Sequence, residues 1–90
     1  MPKYVIERNI PGAHRLTAAE LKAASEKSNE VLRTLRSDVQ WVQSFVTEDK
    51  VYCVYNAKNP GIVAEHARAA GLPADRISAV RTVIDPNTGE

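Results

Sequence analysis

The stretch WVQSFVTEDKVYCVYNAKNPGIVAEHARAAGLPADRI, residues 41–77, decides the fold of this chain. It contains most of two runs rich in Val, Tyr, Phe and Trp, Val39–Thr47 and Lys50–Asn56, which flank an acidic dipeptide. Short runs of β-branched and aromatic residues around a polar dipeptide are typical of a β-hairpin. We therefore predict two antiparallel strands here.

The second half of the same stretch predicts a helix and a return strand. Asn59 is a favourable N-cap, and Pro60 suits the first helical position because its missing N–H group would be unpaired there in any case. Gly71 is suited to the left-handed residue that ends a helix, and Pro73 prevents the helix from continuing. The apolar residues of Ile77–Ile84 then predict the last strand.

Upstream of this stretch, the sequence predicts one strand and one helix. Residues alternate in character over Lys3–Ile10, which indicates a strand. Thr17 and Glu20 match a capping box, in which each side chain bonds the backbone N–H of the other residue. Apolar residues then recur at helical spacing, and we place this helix at about residues 18–36.

The element order β-α-β-β-α-β predicts a single α+β domain over residues 1–90, with the ferredoxin-like fold. In this fold, both helices cover one face of a four-stranded antiparallel sheet and the other face is left bare. Depending on register, that bare face carries one member of each of the pairs Val5 or Tyr4, Val42 or Trp41, Tyr52 or Cys53, and Val80 or Val83. Either choice is too apolar for exposure to water, so we expect a homodimer packed sheet against sheet.

Composition excludes several classes of partner. The chain has 12 basic and 11 acidic residues and a formal net charge of +1, without the basic patch expected of a nucleic-acid-binding protein. No apolar run is long enough to cross a membrane. A single cysteine excludes an intramolecular disulfide and fits a reducing compartment, so we expect a cytoplasmic protein.

His66 is the first candidate site residue. At 100° per residue it lies within the apolar arc of the second helix, between Ile62 and Ala70, so it should face the sheet. One interpretation is a half-buried structural histidine bonded to a backbone carbonyl. The other is a metal ligand or proton carrier, since imidazole serves both roles.

Glu7 and Cys53 are the other candidates from the strands. Glu7 lies mid-strand and is either paired across the sheet, with Arg81 as the expected partner, or acts as a ligand or acid–base group. Cys53 lies in a central strand, where a cysteine is either a small buried apolar residue or a metal-binding thiol.

The remaining candidates are aromatic residues and a loop histidine. Tyr52, Tyr55 and Trp41 are either core or interface residues or the lining of a ligand cavity. His14 should be exposed in the first loop. The sequence lacks the motifs of nucleophilic hydrolases, phosphate-binding loops, dinucleotide-binding folds and zinc proteases, so no catalytic residue is assigned and a non-enzyme is favoured.

The segments YVIERNIPGA, WVQSFVTEDKVYCVYNA, EHARAAGLPADRI and VIDP resemble a family of small bacterial nickel-binding-protein-like proteins of the dimeric α/β-barrel superfamily. The resemblance covers nearly the whole chain and implies a ferredoxin-like dimer, with nickel held by nitrogen and oxygen ligands. It also implies that Glu7 and His66 are site residues. Family members often have a histidine near the position of Trp41, where this chain has Gln43, a poorer nickel ligand.

Two functions therefore follow from the sequence. The leading hypothesis is a small dimeric metal-binding protein, with nickel as the metal and His66, Glu7 and Cys53 as candidate ligands. The alternative is a cofactor-free dimeric α/β-barrel enzyme or small-molecule-binding protein that uses His66 and Glu7 as acid and base.

Overall fold

A four-stranded antiparallel sheet with two helices on one face makes up the computed structural model, which describes residues 1–35 and 38–90. The strand order is β2-β3-β1-β4, and the predicted ferredoxin-like α+β fold is confirmed. The elements are β1 (Lys3–Asn9), α1 (Ala18–Leu35), β2 (Val39–Val46), β3 (Lys50–Ala57), α2 (Pro60–Ala70) and β4 (Arg76–Ala79).

The alternation of β1 decides which residues face the helices. Tyr4, Ile6 and Arg8 are buried, and Ile6 is paired with Cys53 of β3. Tyr4, Ile6 and Cys53 form the apolar core between sheet and helices together with Val39, Tyr55, Ala57 and Val63. Because successive strand residues point to opposite faces, Glu7 lies on the face that the helices leave uncovered.

The β2–β3 hairpin is confirmed, with strand ends one residue away from the predicted ones. Thr47 and Lys50 close its turn: the Thr47 N–H donates to the Lys50 carbonyl at 2.8 Å. The Thr47 hydroxyl accepts from the Lys50 N–H at 3.2 Å. The register shifts between Trp41 and Gln43, a bulge that leaves Trp41 on the helix side and half-buried.

Both helices begin as the sequence predicts. The Thr17 N–H donates to Glu20 Oε1 at 3.0 Å, and the Glu20 N–H donates to Thr17 Oγ1 at 3.1 Å. Asn59 Oδ1 accepts from the Ile62 N–H at 3.0 Å at the start of α2. Gly71 ends α2 with φ of 70°. The predicted end of the first helix, residue 36, lies outside the described residues.

The last strand is shorter than predicted. β4 covers only Arg76–Ala79, whereas the apolar pattern predicted Ile77–Ile84. β4 pairs with β1 alone, and the two strands are antiparallel. The last bond between them runs from the Val80 N–H to the carbonyl of Lys3, the first residue of β1, so later residues have no strand beside them. Val83 and Ile84 are 69% and 75% exposed.

The uncovered face of the sheet carries Val5, Glu7, Phe45 and Tyr52, which resolves the alternatives left open by the sequence for β1 and β3. Phe45 is 52% exposed, so an apolar surface is present as expected. The dimer deduced from this surface stays a prediction. Neither helix of the described residues has the length and apolar character needed to span a bilayer.

Candidate functional site: a cavity between the first helix and the sheet

A cavity of about 260 Å³ lies between α1 and the strands β1, β2 and β3. Its walls are mostly apolar and include Leu16, Leu21, Val46, Val51 and Leu72. Val46 is 43% exposed, so the cavity opens to solvent on that side.

The space exists because α1 presents small side chains to the sheet. Ala24 and Ser25 lie four and three residues before Ser28, on the same side of the helix, and all three line the cavity. Ser25 is turned back onto its own helix, since its hydroxyl donates to the Leu21 carbonyl at 2.8 Å. Larger residues at these positions would fill the gap between helix and sheet.

Arg8 is the charged residue of the cavity wall. Its side chain is only 1% exposed, although it belongs to a central strand. Its Nε donates to Cys53 Sγ at 3.4 Å, its Nη2 to the Tyr55 hydroxyl at 3.3 Å and its Nη1 to the Pro73 carbonyl. None of these three acceptors is a carboxylate.

His66 is fully buried, at 0% exposure, between α2, α1 and β3. Its Nε2 lies 3.3 Å from the Ser28 carbonyl, so the ring carries its proton there and donates it. Its Nδ1 is buried and has no hydrogen-bond partner among the described residues. Burial lowers the pKa of His66, the bond to Ser28 opposes that effect, and the charge of Arg8 lowers it further.

Tyr55 joins Arg8 to His66. Its ring lies 5.3 Å from the imidazole, centroid to centroid, at an angle of 57°. Burial raises the pKa of Tyr55 to about 12, so its hydroxyl is neutral at physiological pH. The group of three is therefore a protonated guanidinium, a neutral phenol and a neutral imidazole.

The structure separates the three candidate metal ligands. His66 and Cys53 lie on the helix side of the sheet, whereas Glu7 lies on the uncovered face. Over residues 1–35 and 38–90, no group of three His, Cys, Asp or Glu side chains comes close enough to hold a metal ion. The fold therefore does not bring His66, Glu7 and Cys53 of one chain together into a single metal centre.

Glu7 has different partners from the one predicted. Its carboxylate lies 3.9 Å from Lys50 Nζ and 4.0 Å from Arg76 Nε. Arg76 is the residue opposite Glu7 on β4, while Arg81 lies beyond the end of that strand. The expectation of a cross-strand pair was right, and the residue named for it was wrong because β4 ends at Ala79, before Arg81.

The other candidates occupy simpler positions. Trp41 lines the cavity and donates from Nε1 to Ser44 Oγ at 2.9 Å, and Tyr52 lies on the uncovered face. His14 is exposed, as expected, with Nδ1 2.9 Å from the Glu48 carbonyl.

Arg8 is the residue that sequence reasoning missed. The alternation that places Tyr4 and Ile6 on the buried face requires the same of Arg8, two positions further along. A charged residue within the buried half of a strand is the signal that could have identified it.

Comparisons with known proteins agree with this fold. A sequence model of the family described as "Nickel responsive protein SCO4226-like" matches residues 4–80, which confirms the resemblance seen in the sequence. The crystal structure of SCO4226 from Streptomyces coelicolor A3(2) superposes with a TM-score of 0.77 at 20% identity, over 91% of this chain and 99% of that one. At this identity the likeness concerns the fold alone. No curated protein matches the chain.

Proposed function

The chain belongs to the SCO4226-like family of nickel responsive proteins, and from that premise we propose that it is a small binding protein whose ligand occupies the cavity between α1 and the sheet. The observation that carries this proposal is the cavity itself, about 260 Å³ with a mostly apolar wall. This volume lies just below the roughly 300–1,000 Å³ of pockets for drug-sized molecules, so it suits a smaller ligand.

The apolar walls of the cavity and its opening to solvent support a role in ligand binding. Because the cavity opens to solvent, its apolar walls are exposed to water, which is unfavourable. A ligand with an apolar body makes van der Waals contacts with these walls and removes their apolar surface from water. The exposed rim at Ala24 and Val46 provides a way in.

Nickel binding is the second candidate, and the description of the family is what favours it. Within residues 1–35 and 38–90 of one chain, no group of side chains fits this ion. The imidazole of His66 is close enough to Arg8 for the guanidinium to lower the imidazole pKa, and the same positive charge would repel a divalent cation at the open Nδ1. Donors from a second copy of the chain, added to Glu7 on the uncovered face, are the remaining route to a nickel site.

A titration with 1-octanol, followed by backbone amide NMR shifts, tests the proposed function. Octanol is neutral and compact, so its binding reports on the apolar cavity without any contribution from charge. We expect shift changes at lining residues such as Leu21, Val51 and Leu72, and none on the uncovered face. Absence of saturable shifts at these residues would contradict the proposal.

A matched pair of variants makes this test specific. Ala24 lines the cavity rim and Ala23 does not, although both residues are exposed on α1. Ala24→Phe should therefore block octanol, while Ala23→Phe should bind it as the unmodified protein does. A parallel titration with Ni²⁺ examines the second candidate, which requires saturable binding that Glu7→Gln weakens.

A further inference from the structure

Arg8 is a buried cation with no anionic partner among the residues that the structure describes. The ion pairs among the described residues are Lys22–Glu26, Lys50–Glu7 and Arg76–Glu7, and Arg8 belongs to none of them. A buried charge is normally paired, because its transfer out of water costs several kcal/mol even after the protein relaxes.

The neighbours of Arg8 do not supply the missing negative charge. Tyr55 is a neutral phenol and His66 a neutral imidazole at physiological pH, for the reasons given above. The hydrogen bonds to Cys53, Tyr55 and Pro73 occupy one N–H group on each nitrogen of the guanidinium. Since a guanidinium has five N–H groups, two are left for a ligand.

The position of Arg8 makes it available to a molecule inside the cavity. It lines the wall together with Cys53, and otherwise that wall is apolar apart from three serines. Ser25 and Ser44 already make hydrogen bonds within the protein. The cavity thus offers one strong positive group in an otherwise largely apolar enclosure.

We infer that the ligand is a monocarboxylate with a compact apolar body, whose carboxylate pairs with the Arg8 guanidinium and whose body fills the space between α1 and β2. This inference rests on the proposed function, since it concerns the same cavity. A carboxylate matches the planar fork of a guanidinium and carries a single charge, which one arginine neutralises. A doubly charged phosphate would leave one charge buried without a partner.

Calorimetric titration of the unmodified protein with octanoate, 1-octanol and octylamine tests the inference. The three probes have similar apolar bodies and differ in the charge of their heads. A charge-assisted hydrogen bond in a buried site is worth roughly 1.5–3 kcal/mol, so octanoate should bind about 10- to 100-fold more tightly than octanol. Octylamine should bind more weakly than octanol because Arg8 repels its ammonium group.

Substitution of Arg8 identifies the anchor. Arg8→Met keeps an unbranched, largely apolar side chain but removes the guanidinium and its charge, so the ratio of octanoate to octanol affinity should fall to about one. Arg81→Met removes an equal charge from an exposed position outside the strands and should keep the ratio of the unmodified protein. If Arg8→Met does not fold, the Arg8 side-chain Nε–H resonance of the unmodified protein serves instead, since octanoate should shift it far more than octanol does.

The outcomes separate this inference from the proposed function. Octanol and octanoate bound equally well at the cavity would overturn the carboxylate assignment and leave the proposed function standing. Octyl phosphate bound more tightly than octanoate, with the preference lost in Arg8→Met, would also overturn it. Binding of none of these probes would overturn the proposed function, and this inference with it.

Discussion

Two buried polar residues, Arg8 and His66, determine the chemistry of the helix side of the sheet. Arg8 keeps its charge without an acidic partner among the described residues, and His66 keeps a free Nδ1. They are linked through Tyr55, which accepts from Arg8 and packs on the imidazole. The positive charge thus lies on the cavity side and the neutral ring deeper in the core.

His66 should make the stability of the protein depend on pH. Burial lowers its pKa in the folded state below the usual value of about 6.5. As pH falls below 6.5, the unfolded chain takes up a proton that the folded protein does not, so the free energy of unfolding decreases. The slope is at most about 1.4 kcal/mol per pH unit, and it ends once pH falls below the folded pKa.

Urea unfolding at pH 7.5 and pH 5 measures this effect. The difference between the two midpoints should shrink in His66→Leu, which has no imidazole to protonate. His14→Leu, which removes the exposed loop histidine, is the matched control and should keep the difference of the unmodified protein. A His66→Leu protein with the full pH dependence would show that another group is responsible.

For single residues, the sequence predicts which side chains are buried better than it predicts their hydrogen-bond partners. Helical periodicity placed His66 on the sheet-facing side, and its 0% exposure agrees. Its hydrogen-bond partner, the Ser28 carbonyl of α1, lies 38 positions away in sequence and is brought close only by the packing of the two helices. No local pattern in the sequence contains that information.

Among the elements, α1 has the clearest sequence signal for its first turn, and the structure agrees with that signal. Its first turn is fixed by the reciprocal bonds of Thr17 and Glu20, both of which are present. The bond from the Thr17 backbone N–H lowers the pKa of Glu20, so the cap is complete above the usual carboxylate range and is lost as pH falls through the lowered value.

Removal of the Thr17 hydroxyl tests this cap. Thr17→Ala should reduce the free energy of unfolding at pH 7 by about 1 kcal/mol, because the Glu20 N–H loses its acceptor. Thr17→Ser keeps the hydroxyl and should retain most of the stability. Equal stability of the alanine and serine variants would mean that the cap contributes nothing measurable.

β4 shows where local pattern fails. The residues after Ala79 have the composition of a strand, but a strand needs a neighbouring strand to pair with. The antiparallel neighbour β1 begins only at Lys3, so it offers no residues to pair with them. The cavity could not be foreseen from α1 either, since small residues at Ala24 and Ser28 are compatible with close helix packing. The length of β4 and the presence of the cavity both depend on which helices and strands pack together, and local sequence patterns do not predict that packing.

At the scale of the whole molecule, the uncovered face of the sheet and the chain after β4 carry exposed apolar side chains. Phe45, Val83 and Ile84 are 52%, 69% and 75% exposed. Such surface favours association, and a second copy of the chain is the simplest partner.

Light scattering at micromolar concentration should therefore give about twice the 9.9 kDa of one chain. Phe45→Glu should shift the protein toward monomer, since it places a charge on the apolar surface of the uncovered face. Ala19→Glu adds the same charge on the exposed side of α1 and should stay dimeric. A monomeric mass for the unmodified protein would disprove the dimer.

A crystal structure of the protein with octanoate tests the central claim most directly, because it shows the position and orientation of the ligand together. Our account predicts the carboxylate within hydrogen-bond distance of the Arg8 guanidinium, with the alkyl chain between α1 and the sheet. Octanoate bound on the uncovered face, or in the cavity with its carboxylate turned to solvent and away from Arg8, would contradict it.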